Sequence, residues 1–179
     1  MQNISGTAIA ICVAVALLLV APLDSLADRN DNVVQENVEL IVEEFVTTVR
    51  NTGKLTRAQY QNLVNELDAT GNTYDIEIEV QHLDENPGKK TAQANYTKIG
   101  ENVYYTMYTS QILDQLNPSS GVTKTLALKE GDIFSTSVKN TNTTLSQQLK
   151  NFFYTVTGND TYTIAAEHAG IVTANGAGN

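Results

Sequence analysis

Two histidines, one cysteine and a few acidic stretches are the residues of this chain whose chemistry could be put to work. His82 precedes Asp84 and Glu85, a grouping that could hold a cation weakly, although a solvated strand end explains the same residues without a ligand. Neither His82 nor His168 has a partner at metal-ligand spacing. Glu167 and His168 are neighbours on an expected strand, so they point to opposite faces and form no single site. Asp68-Ala69-Thr70-Gly71-Asn72 is acidic but lacks the alternating ligands of a calcium loop, and turn chemistry accounts for it. No nucleophile elbow, phosphate-binding glycine loop or dinucleotide fingerprint occurs. Cys12 lies inside an apolar run and follows Ile11, whereas a lipid-modified cysteine normally follows a small residue. It reads as a small packing residue, and with no second cysteine it can form no internal disulfide. The expectation is a chain without catalysis, metal or cofactor. Asn3, Asn95, Asn142 and Asn159 each begin an Asn-x-Ser/Thr triplet, a number that chance supplies at this composition. Glycans at Asn95, Asn142 or Asn159 would suit an extracellular protein.

The stretch that organises the chain is its N-terminal fifty residues. Ile4 to Ala21 is apolar and uncharged. As a helix its roughly 18 residues would be about 27 Å long, just enough to span hydrocarbon. A secretory signal peptide would use Ser25-Leu26-Ala27 as its cleavage site, but no Lys or Arg precedes the run. A simple membrane anchor is a second reading. A third is a helix that leaves the bilayer and packs against its own copies. Small residues (Ser5, Gly6, Thr7, Ala8, Ala10, Ala14, Ala16) recur among Ile, Val and Leu, and small residues let helix backbones approach closely. The candidate helix–helix assembly residues are Ile4, Gly6, Ala8, Ala10, Val13, Ala14, Leu17, Leu18 and Pro22.

After Pro22 an amphipathic pattern runs from about Asp24 to Arg50, so that one long helix covers both halves. Val34, Val38, Ile41, Phe45 and Val49 form a single helical stripe, widened by Val42 and Val46. Polar residues from Gln35 to Glu44 fill the other faces. Packing against the chain's own head explains this stripe; a parallel coiled coil between copies would need a longer strict heptad. Asn51-Thr52-Gly53 is a stop signal, with Arg50 in the last turn. Residues 1–53 thus form the helical part and residues 54–179 an extracellular head.

In the head, Thr56 is a plausible N-cap for a short helix carrying Tyr60, Leu63, Val64 and Leu67. Tyr74 to His82 alternates apolar and acidic residues, as a half-exposed strand does. Val103 to Leu116 reads either as a strand passing into a helix or as one helix. Val122–Leu128 and Ile133–Val138, joined by Lys129-Glu130-Gly131-Asp132, read as a hairpin. Asn142 or Thr143 would cap a helix through Leu145, Leu149, Phe152 and Phe153, and Thr161–Val172 would form a last strand. The fold class is α+β: a long N-terminal helix, then a head with a mostly antiparallel sheet and packed helices.

The net charge of −9 argues against non-specific binding to nucleic acid or to an anionic membrane surface. The uncharged N-terminal run, Pro22 at its end and the amphipathic continuation resemble a mature type IV pilin or a Tad-type pseudopilin. The resemblance covers about the first fifty residues. The stretches TGNTYDIEIEVQHLDENP and VKNTNTTLSQQLKNFFYTVTGNDTY also resemble Tad-locus pseudopilin-like proteins. The resemblance implies an apolar helix that is first a membrane anchor and then a filament core, kinked or melted near Pro22. It implies Met1 as first mature residue, a short leader having been removed. The family often carries a glutamate at position five; this chain has Ser5. The function implied is that of a structural subunit of an extracellular cell-surface filament, assembled from copies of itself and held in the cytoplasmic membrane beforehand. The alternative is a monomeric, membrane-anchored extracellular binding module, which would need a concave apolar or aromatic patch on the head.

Overall fold

The computed structural model describes residues 2–84, 103–117, 125–154 and 163–176. One helix, α1 (Gln2–Thr52), carries both the apolar run and the amphipathic stripe. The helix continues through Pro22, although a proline offers no N–H to the Leu18 carbonyl one turn back. After it come β1 (Lys54–Leu55), α2 (Arg57–Asp68), β2 (Tyr74–Leu83), β3 (Tyr104–Tyr108) and α3 (Thr109–Leu116). The chain then forms β4 (Leu126–Ala127), β5 (Ile133–Asn140), α4 (Leu145–Tyr154) and β6 (Ala165–Ile171). The main sheet has the order β3-β2-β5-β6 with every pair antiparallel, and β1 pairs with β4 in a small second sheet. The architecture is the expected α+β.

The second half of α1 lies across the inner face of this sheet. Val38, Val42, Val46 and Val49 are completely buried there, and Phe45 meets Phe134 of β5 with ring centroids 5.8 Å apart. At about 1.5–3 kcal/mol for each fully buried side chain of this size, the stripe is a main source of cohesion for the head. The alternation of β2 is as expected: Ile78 and Val80 are buried, while Tyr74 and Ile76 pack against the core from its edge. Helix α2 begins at Thr56, which accepts from the Gln59 N–H (3.2 Å) while Gln59 Oε1 accepts from the Thr56 N–H (2.8 Å). The region from Val103 to Leu116 is a strand passing into a helix.

The expected hairpin of Val122–Leu128 with Ile133–Val138 does not form. The turn is present: the Asp132 N–H donates to the Lys129 carbonyl (3.1 Å), and Gly131 sits at φ 95. It hands the chain from one sheet to the other. Before it, β4 pairs with β1 just after α1. After it, β5 enters the main sheet between β2 and β6. Turn residues fix a reversal, but the partner strands are chosen by burial. Ile78, Val80, Phe134 and Val138 share one inner face beneath α1, which a local hairpin would not give them. Segment 118–124, part of the expected first strand, lies outside the described residues, as do 155–162 and the tail beyond 176.

The end of α1 is tied to the end of the chain. Gly53 is in the left-handed region at φ 62 and donates its N–H to the Val49 carbonyl (2.8 Å), closing the helix. A side chain there would also overlap the backbone of Ala174 and Gly176. Close by, the Thr173 N–H donates to the Arg50 carbonyl (3.1 Å).

Two buried side-chain atoms lack a hydrogen-bond partner among the described residues, Oδ1 of Asp24 on α1 and one in the core. The Thr136 hydroxyl, on the inner face of β5, is fully buried with no hydrogen-bond partner. Thr136→Val keeps the shape and removes the orphan polar atom. It is expected to stabilise the head by about 1 kcal/mol, read as a raised midpoint in urea denaturation.

Candidate assembly surface

The first residue of α1 that the head buries is Ala27, with Asp24 half-buried just before it. Ser5 to Leu19, wherever the side chains are described, is exposed throughout. The most apolar 18-residue window of the helix has a mean hydropathy of 2.5 with none of it buried, so the helix is long and apolar enough to cross a membrane. Gly6, Ala8, Ala10, Val13, Ala14, Leu18 and Pro22 all lie exposed on this half, and a Cβ added at Gly6 would meet nothing within 4 Å. Ile4 and Leu17 belong to the same helix, but their side chains lie outside the described residues. Cys12 is a free, exposed thiol on the same segment.

Where this projecting half enters the head, α4 braces it. The N-cap of α4 is Thr144, one or two residues beyond the expected Asn142 or Thr143. Its Oγ1 accepts from the Gln147 N–H (3.2 Å), and Gln147 Oε1 accepts from the Thr144 N–H (3.0 Å). The same Thr144 hydroxyl donates to Asp31 Oδ2 (2.6 Å), and Ser146 donates to Asp28. Two carboxylates of α1 thus sit against the positive N-terminal end of α4, where the helix dipole favours negative charge. Asp31 is buried in the process. The aspartates of this stretch therefore serve a neighbouring helix 113 and 118 residues further along the chain.

A second brace runs along the free edge of β6. Gln35 donates from Nε2 to the Ala165 carbonyl (2.7 Å) and accepts the Ala165 N–H on Oε1 (3.0 Å). Arg50 Nε donates to the Ile171 carbonyl (2.8 Å). The guanidinium lies over Gly170, where any side chain would collide with it. The helix thus occupies both ends of an edge that would otherwise be open to another strand.

His82 does not join Asp84. Its Nδ1 lies 2.8 Å from Oδ2 of Asp132, fifty positions along, and its ring lies 5.0 Å from that of Tyr105. Asp132 is buried and also accepts from the Leu83 N–H (3.1 Å) and the Lys129 N–H (2.8 Å). It is a structural knot between the end of β2 and the turn before β5. Asp132→Ala would strand two backbone donors and is expected to cost about 2–4 kcal/mol, measured by chemical denaturation. His82→Ala, which leaves the carboxylate its backbone partners, is expected to cost less than half as much. No group of three or more His, Cys, Asp or Glu residues is placed to hold a metal among the described residues.

The outer face of the sheet carries a groove of about 860 Å³ lined by Asp75, Glu77, Glu79, Glu167, Ser135 and Ser137, with Tyr108 and Leu113 at its side. Its surface is mixed: Ile76, Ile78, Leu113 and Tyr108 lie among the carboxylates and hydroxyls. Asn142 is half-buried. Its amide nitrogen donates to Asn72 Oδ1 (2.8 Å), and its Oδ1 accepts from the Thr73 N–H (2.8 Å). Asn95 and Asn159 lie outside the described residues. Sequence reasoning missed Asp31, Gln35, Thr144 and Asp132, whose partners are far away in the chain. The only local sign was the Thr144-x-x-Gln147 spacing of a capping box.

No known protein family, curated protein or solved structure matches this chain.

Proposed function

We propose that the protein is the structural subunit of an extracellular filament of the type IV pilus kind, polymerising through the apolar half of α1. The observation that carries this reading is the helix that leaves the head at Ala27 and continues outward, apolar and unburied. Burying such a helix among its copies, at roughly 25 cal/mol per Å², would give tens of kcal/mol of gross stabilisation. In lipid that drive vanishes, and close contact at Gly6, Ala8, Ala10 and Ala14 has to hold helices together instead. The helix is thus held in the membrane before assembly and enters the filament core afterwards. The acidic head faces outward and keeps the fibre soluble.

A monomeric binding module on the same anchor is the alternative. The groove on the sheet would offer it a mixed lining of Ile76, Ile78, Leu113 and Tyr108 among carboxylates and hydroxyls, but it would leave the exposed apolar helix as a lipid anchor only. The experiment is electron microscopy of material sheared from cells that make the protein, with mass spectrometry of the subunit. Thin uniform fibres built of this chain are the expected result. A membrane fraction that holds all of the chain, with no fibres, would overturn the reading.

A further inference from the structure

In the second half of α1, from Leu26 onwards, the face that meets the head accounts for most of the apolar residues, but not for all. Leu26, Val33 and Leu40 are 62%, 57% and 62% exposed, in a stretch where the other large apolar residues face the core. They repeat every seven residues, and Leu19, also exposed, continues the row into the apolar half. Between them, at alternating spacings of four and three, stand Leu23, Asn30 and Asn37, all exposed. This is the a/d pattern of a coiled-coil seam, with Leu19, Leu26, Val33 and Leu40 at d and Leu23, Asn30 and Asn37 at a. The rest of the head meets α1 elsewhere: α4 at Asp28 and Asp31, β6 at Gln35 and Arg50, and α2 beside Glu44 and Thr48.

We infer that this face seats the same face of a second copy of the chain, in parallel and in register, from Leu19 to Leu40. The inference rests on the reading that the apolar half of α1 lies in a membrane, which gives every copy the same orientation and depth. The pattern itself selects the occupant. An asparagine at an a position is costly against an apolar partner and is satisfied by the same asparagine across a parallel, in-register seam. Shifting one helix by a heptad would set Asn30 against Leu23. The seam also has a defined end. The next a position is Glu44, where two copies would oppose like charges and where α2 already flanks the helix. The flanking positions on one side carry Arg29, Glu36 and Glu43; those on the other carry Ala27 and Val34, which the head buries, and half-buried Ile41, so no like charges oppose each other across the seam. The surface is separate from the small-residue row at Gly6, Ala10 and Ala14, and it pairs subunits two at a time beside the helix.

Single cysteines placed in the full-length chain, in a Cys12→Ser background, test this in membranes treated with a mild oxidant. Disulfide dimers are expected with Leu26→Cys, Val33→Cys and Leu40→Cys, and at least tenfold fewer with Asn32→Cys and Glu39→Cys, which lie on another exposed face. Adding Val33→Arg to the Leu26→Cys chain should abolish its dimer. Co-expressed Val33→Cys and Leu40→Cys chains, one tagged, should give no mixed dimer. A heptad is about 10.5 Å along a helix, beyond the roughly 7 Å between Cα atoms that a disulfide spans. Mixed 33–40 dimers, or equal yields at Asn32 and Val33, would overturn the inference. So would absence of dimers while the chain remains in the membrane pellet, a result that leaves the filament reading standing. Dimers at Val33 but not at Asn32, from a chain recovered in the soluble fraction, would uphold the seam and overturn the membrane reading.

Discussion

Ala14→Arg is expected to abolish fibres while leaving the head folded. Ala14 is exposed on the projecting half of α1, far from the first residue that the head buries, Ala27. An arginine near the middle of a membrane helix costs about 3 kcal/mol of insertion free energy, roughly a hundredfold in the partition. In a helix bundle the penalty is larger, because the guanidinium would be buried without a partner. The head makes no use of this position, so its cooperative unfolding should be unchanged. Fibre yield by electron microscopy and a urea melt of the same protein read the two halves of this expectation separately. Normal fibres from the variant would remove residues 4–22 from the assembly surface.

Val42→Asp should have the opposite signature. Val42 is fully buried between α1 and the sheet. The substitution puts an unpaired carboxylate in the centre of the head and removes the packing of the valine. A loss of about 4 kcal/mol or more is expected, against a total of roughly 5–15 kcal/mol for a domain. The head should then unfold at or near ambient temperature, seen as loss of the near-ultraviolet dichroism of its tyrosines and rapid proteolysis. Membrane association of the apolar half should survive. A head that melts within a few degrees of the parent would mean that the second half of α1 is not its central support.

These two substitutions mark what was legible in the sequence. The four-three-four-four spacing from Val34 to Val49 told which face of α1 meets the core, because helical periodicity depends only on near neighbours. Thr56 and the alternation of β2 were legible for the same reason. The partners of those elements were not. Leu128 and Ile133 are separated by an unmistakable turn, yet their strands join different sheets. His82 finds Asp132 rather than nearby Asp84, and Gln35 reaches Ala165 across 130 positions. Pairings at that distance depend on how the whole core closes. The row from Leu19 to Leu40 escaped for another reason. It lies among asparagines and glutamates beside a stronger apolar stripe, and only exposure in the folded chain separates the two.

One helix thus has its second half inside the head and its first half outside it. Removing residues 2–24 and sedimenting the remainder in detergent-free buffer separates them. The expected product is a folded, monomeric head that melts cooperatively and forms no fibres. An unfolded or aggregated product would show that the head needs the projecting half. Fibres from the shortened chain would contradict assembly through the apolar helix altogether.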